Sequence, residues 1–180
     1  MTSLRDRALD AAVELLGTQG LKALTHRRID QHAQLPEGST SNYFRTRDAL
    51  LNGVAGAIVE QEMAAAGPAF APKSADEFLD ALVALVDRVT RDQRTETTAR
   101  LVLFMEASHD PSLRGALWHG RALFAAALEP VLRGLGARDP HTSAGALMAC
   151  CEGLILHRIA RHDDTDVRPF LDLVMKGALA

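Results

Sequence analysis

Capping signals punctuate this chain, and each opens a stretch of apolar residues at helical spacing. Ser3, Thr25, Thr46 and Ser74 carry side chains that accept from the free N–H groups of a helix's first turn. Asp110-Pro111 and Asp139-Pro140 add a proline suited to the first helical position. Between them run stripes such as Leu4, Ala8, Ala12, Leu15, Leu16 and Phe78, Leu82, Leu85, Val89. Alternating strand patterns are hard to find. The pattern predicts an all-α chain of about nine helices.

The boundaries follow from the stop signals. Helix 1 is predicted from Ser3 to Gly20, with Asp6 completing a capping box. A second, short helix follows Thr25, with Ile29 and Ala33 facing inward and Leu35 in the turn. A third is expected to have Pro36 in its first turn. A fourth opens at Thr46, with Leu50, Val54 and Ile58 inside. Residues 67–73, GPAFAPK, read as a break. Ser74 with Glu77 reads as a capping box for helix 5. Helix 6 is expected over 95–108. Helix 7 follows Pro111, with Leu113, Leu117, Phe124, Leu128, Val131 and Leu135 on one stripe. Helix 8 is expected over 140–161, and a last helix after Asp166, with Pro169 in its first turn.

Three short helices and a tight turn within about fifty residues form a helix-turn-helix pattern. This divides the chain into a helix-turn-helix domain over 1–51 and a second helical domain over 52–180, with helix 4 linking on from 46. Charge gives little help. Residues 1–51 hold seven Lys/Arg against six Asp/Glu, a net +1, in a chain whose net charge is −3.

The stretch LTHRRIDQHAQLPEGSTSNYFRTRDALL carries the function. After the break at Pro36 and Gly38 come five small or polar residues, Ser39 to Tyr43, and then Phe44. Ser39, Ser41, Asn42 and Tyr43 can bond to phosphates and base edges. Gly38, lacking a side chain, lets backbone approach a phosphate, and Phe44 anchors the helix end in the core.

At this point the sequence resembles the TetR family of one-component transcriptional repressors. The resemblance lies in ALDAAVELLGTQGLKALTHRRID, then LPEGSTSNYF and RTRDALL. A weaker echo is CEGLILHRIA, similar to a helix that many members use to dimerise. The resemblance implies that Thr25 contacts phosphate and that Arg27 or Arg28 reaches backbone or a guanine edge. It places Gly38, Ser39, Ser41, Asn42 and Tyr43 in the major groove or on its phosphates. Arg47, where the family usually has lysine, would grip phosphate at the start of helix 4. Glu37 stands where many members have lysine, Thr40 replaces a usual leucine and Ser41 a usual tyrosine. Thr40 is accordingly expected to be half-buried.

The resemblance also implies a cavity enclosed by helices 4 to 7, with Phe104, Met105, Trp118, Phe124, Met148 and Glu152 as candidate lining. Gly145, Ala149 and Gly153 recur every four residues along a helix apolar on more than one face. With His157 they are read as a two-fold seam. The expected function is a ligand-responsive regulator. As a repressor, it binds a pseudo-palindromic double-stranded DNA operator as a homodimer and is released by an unidentified small-molecule effector.

Other chemistry is weaker. Catalytic signatures such as GxSxG, GK[ST] and HExxH are missing, so no enzyme is expected, although Glu106, His109 and Asp110 cluster at a helix end. His157 and His162, five apart, do not share a helix face, and no metal or cofactor is expected. Cys150 and Cys151 are adjacent and cannot join distant segments, which fits a reduced, cytoplasmic setting. No membrane span or secretion signal is expected. A helical interaction module without DNA binding and a small helical enzyme remain as alternatives.

Overall fold

The computed structural model describes residues 3–67 and 71–180. Among these it contains nine α-helices and one 3-10 turn, and no strand. The chain packs as two compact units. One comprises the chain up to Gln61 with Arg94–Gly120, the other Glu62–Gln93 with Arg121–Ala180.

The first unit is built from α1 (Leu4–Gln19), the 3-10 turn Leu21–Ala23, α2 (His26–His32), α3 (Ser39–Tyr43), the first part of α4 (Arg47–Ala66), α6 (Arg94–Glu106) and the start of α7 (Pro111–Gly134). Ser3 caps α1, and the Asp6 carboxylate returns the bond to the Ser3 N–H. Thr25 and Thr46 cap α2 and α4 through the amides of Arg28 and Ala49. Asp110 caps α7 through Ser112 and Leu113.

One core runs through this unit. It includes Ala12, Leu16, Leu24, Ile29, Phe44, Leu50, Val54, Ala99, Leu103 and Leu113, all buried. The expected stripe of α1 holds except at Leu4, the first residue of the helix, which is 42% exposed. Three glycines, Gly17, Gly53 and Gly120, permit close approaches, the last to Val59. A Cβ on Gly17 would stand 2.1 Å from the Thr95 carbonyl oxygen, so only glycine lets α1 lie against the start of α6 here. A Cβ on Gly53 would stand 2.4 Å from Phe44 Cε1, so the Phe44 ring rests on the α4 backbone.

The second unit holds α5 (Ala75–Thr90), α8 (Pro140–Arg161) and α9 (Arg168–Leu179), packed pairwise, with the ends of α4 and α7. Ser74 caps α5, but the capping box is incomplete: Glu77 reaches past the cap to the Lys73 amide at 2.8 Å. Asp139 and Pro140 open α8 as expected. The break over 67–73 lies partly outside the described residues, at 68–70. Arg158, 7% exposed, ties the unit together. Its guanidinium donates to Asp87 and Thr90 on α5 and, at 3.2 Å, to the Thr165 carbonyl before α9. Among the described residues α8 alone is long and apolar enough, by composition, to cross a bilayer. It carries Arg158 and Glu152 in bonds to its own unit.

Candidate nucleic-acid interface

α2 and α3 meet through a turn that needs unusual backbone twice. Gln34, at φ +52°, ends α2, and Gly38, at φ +83°, opens α3. The second value is one that glycine adopts without strain. Arg7 on α1 donates to the Ala33 carbonyl at 2.7 Å, satisfying the end of α2. Leu35 is buried in the turn. Pro36 lies ahead of α3 and not in its first turn: the chain turns over Glu37 and Gly38, closed by the Ser39 N–H on the Pro36 carbonyl, before the helix begins at Ser39.

The short α3 has two distinct sides. Thr40 is fully buried, deeper than the half-burial expected, and Ser39 is also interior, with its hydroxyl donating to the Pro36 carbonyl at 2.6 Å. Ser39 is thereby committed to the turn. Ser41, Asn42 and Tyr43 are exposed, Tyr43 at 47%. Ser41 donates to the Gly38 carbonyl at 2.8 Å. The side chains of Asn42 and Tyr43 bond to no described residue.

Thr25, Arg27, Arg28 and Arg47 are also exposed. Thr25 Oγ1 accepts the Arg28 amide, and the Arg28 guanidinium donates to Gln19. Arg27 and Arg47 make no bond among the described residues. Arg5 sits over the Phe44 ring, 5.7 Å from its centroid. His26 Nε2 donates to the Phe44 carbonyl at 2.6 Å, holding the end of α3 to α2.

One residue that composition did not single out joins the two helices. Asp30, 3% exposed, accepts the Gly38 amide at 2.8 Å and the Thr40 amide at 2.8 Å. Its signal in the sequence was faint: an acid immediately after the inward-facing Ile29.

The other expected sites fare differently. Phe104, Met105 and Trp118 are 53, 67 and 70% exposed on α6 and α7 of the first unit, so none is enclosed there. Phe104 and Met105 fall on the outer side of α6, opposite buried Ala99 and Leu103. Trp118 lies off the stripe that begins at buried Leu113. Phe124, Met148 and Glu152 are half-buried in the second unit, and Glu152 accepts from Arg121 at 2.7 Å. On α8, Ala149 and His157 are exposed, and a Cβ on Gly145 or Gly153 would meet nothing within 4 Å. Ala149, Gly153 and His157, with Phe170 of α9, border an open groove of about 260 Å³. Leu156, Phe170 and Leu173 also project from this face. The Cys151 sulfur is turned inward, and desolvation pushes its thiol up to about 12. The Asp110 carboxylate of the cluster near Glu106 is spent capping α7.

A trihelical unit whose last helix is buried on one side and presents free amide and hydroxyl groups on the other is a helix-turn-helix of the DNA-binding regulator class. The chain belongs to the TetR family: "Bacterial regulatory proteins, tetR family" matches residues 8–54, and "Tetracyclin repressor-like, C-terminal domain" matches 73–177. Members are DNA-binding transcription factors and not enzymes. No curated protein matches the chain. Solved structures share the fold over nearly the whole chain. SCO7518 from Streptomyces coelicolor A3(2) is 24% identical, with 98% of each chain covered and a TM-score of 0.82. The transcriptional regulator RHA1_ro04179 from Rhodococcus sp. Rha1 is 20% identical, covering 98% of this chain and 96% of its own, with a TM-score of 0.80. The multidrug binding protein EbrR, solved with ethidium, is 26% identical, covering 94% of this chain and 97% of its own, with a TM-score of 0.75.

Proposed function

We propose that this DNA-binding regulator is a homodimeric repressor that binds a pseudo-palindromic operator and is released by a small-molecule effector. Residues 1–51 serve as the reading head, and residues 52–180 hold the effector and the dimer seam. The observation that carries the reading is the two-sided α3: its inner side is interior, while Ser41, Asn42 and Tyr43 face solvent.

Each group has a role suited to its chemistry. Asn42 and Tyr43 reach base edges, and Ser41 bonds near the Gly38 backbone. Thr25, Arg28 and Arg47 grip phosphates that flank the groove, with Gly38 and the Ser39 backbone close to them. Two heads related by a two-fold axis read half-sites about 34–36 Å apart, one turn of duplex. The seam is the face of α8 with Gly145, Ala149, Gly153 and His157, continued by Phe170 and Leu173 of α9. EbrR, a relative of known multidrug binding, supports an effector of small-molecule size, held by the second unit near Phe124, Met148 and Glu152. An effector that favours a dimer with the wrong head spacing needs a coupling of only about 1–3 kcal/mol. Such a protein works in the cytoplasm, where the DNA is.

Selection of bound fragments from random duplex DNA tests the reading, followed by a salt titration. Recovery of a two-fold-symmetric site, with affinity falling steeply with salt, is the expected result. A chain that enriches no sequence and shows no salt dependence would instead be an interaction module.

A further inference from the structure

α3 is five residues long, and a helix that short does not hold its own axis. Its N-cap is Gly38, which has no side chain to accept from the first turn. The acceptor comes from α2. Asp30 Oδ2 accepts the Gly38 N–H at 2.8 Å, and Oδ1 accepts both the Thr40 N–H at 2.8 Å and the Thr40 hydroxyl at 2.5 Å. Asp30 is 3% exposed and Thr40 is fully buried, so water does not compete for these bonds. No Lys or Arg lies within salt-bridge distance of Asp30 among the described residues. The carboxylate is satisfied by α3 and its turn alone.

We propose that Asp30 is a positioning residue for sequence reading: its buried carboxylate fixes the angle at which α3 presents Ser41, Asn42 and Tyr43. The proposal rests on the DNA-reading role of α3. Apolar contacts between α2 and α3 are non-directional and would tolerate a small rotation. Three donors converging on two oxygens of one planar group do not. Asp30 itself is too buried to touch DNA, so it acts only through α3. Base edges demand the correct angle, whereas phosphate contacts tolerate small displacements because charge attraction varies slowly with distance.

Two substitutions separate positioning from folding. Asp30→Asn keeps the size but turns one acceptor into a donor, which faces either the Gly38 N–H or the Thr40 donors. Thr40→Val removes only the hydroxyl and leaves the backbone bond. In folded Asp30→Asn, affinity for the duplex selected by the wild type falls about tenfold or more, the worth of one charge-assisted bond. Affinity for random duplex at the same salt, and the salt slope, stay at wild-type values. Thr40→Val loses about threefold on the selected duplex. Without DNA, amide exchange at Gly38 and Thr40 accelerates in Asp30→Asn.

Wild-type affinity for the selected site in folded Asp30→Asn overturns the proposal, and so does an equal loss on selected and random duplex. If Asp30→Asn does not fold, Thr40→Val decides, and unchanged site affinity in that variant overturns it. A wild-type chain that selects no duplex removes the DNA reading itself. The exchange measurement then still reports whether Asp30 holds α3.

Discussion

Gly153→Leu puts the α8 seam to a test whose sign depends on the partner. Within one protomer, a Cβ at Gly153 meets nothing within 4 Å, so the substitution is free of clash there. Replacing a mid-helix glycine by leucine favours the helix by about 0.8 kcal/mol. An isolated protomer therefore becomes slightly more stable. In a two-fold dimer closing over Gly145, Ala149 and Gly153, the change enters twice. Forcing a side chain into a close-packed seam costs about 1–3 kcal/mol each time, so about 2–6 kcal/mol per dimer. At the lower end the dissociation constant rises about 30-fold. Sedimentation velocity across a dilution series, paired with thermal melts at high and low concentration, reads both quantities. The expected outcome is a weakened dimer whose melting point rises at low concentration and falls at high concentration. A Gly153→Leu protein that sediments as the wild-type dimer at every concentration refutes the close-packed seam.

Gly17→Ala should lower stability by about 2 kcal/mol in thermal or urea melts, despite alanine's better helix propensity, because the new Cβ would stand 2.1 Å from the Thr95 carbonyl oxygen. An unchanged or raised melting point would mean that α1 and α6 do not abut. Asn42→Ala and Tyr43→Ala should each weaken operator binding about tenfold with thermal stability nearly unchanged, since both side chains are exposed and bond to no described residue. Early melting of both would place them in the core. Arg158→Ala should cost about 1–3 kcal/mol in urea denaturation, because it removes the donor to the Thr165 carbonyl and to Asp87, whose carboxylate is partly solvated. Cys151, with its thiol raised to about 12, should stay protonated and resist iodoacetamide at pH 8 in the folded protein, and rapid alkylation would contradict its desolvation.

Much of the fold was legible because its signals are local. A cap bonds to an amide two or three residues away, so Ser3, Thr25, Thr46, Ser74, Asp110 and Asp139 announced their helices without reference to anything distant. Glu77 slipped by one residue, to the Lys73 amide, because adjacent orphan amides offer a flexible carboxylate equivalent partners. The reading stretch was legible for the same reason. Gly38 before a polar run, followed by Phe44, describes a helix with one free side, and Asn42 and Tyr43 lie on that side. Asp30 escaped notice because an acid on a short helix is ordinarily solvated. Its partners lie eight and ten residues on, across a turn whose path local propensity does not specify.

What the amino-acid order determined alone was where helices start and stop, which stripes are apolar and which run of residues is too polar to be core. Each of those is set by neighbours within a turn or two of helix. Which residue of a stripe meets a neighbour was decided only when the helices packed. Phe104, Met105 and Trp118 are as apolar as Leu103 and Leu113, yet they are exposed where the latter are buried. Burial depends on where a second helix arrives, and that is fixed by contacts such as Gly17 against Thr95 and by the Asp30 carboxylate meeting two amides and a hydroxyl across the turn.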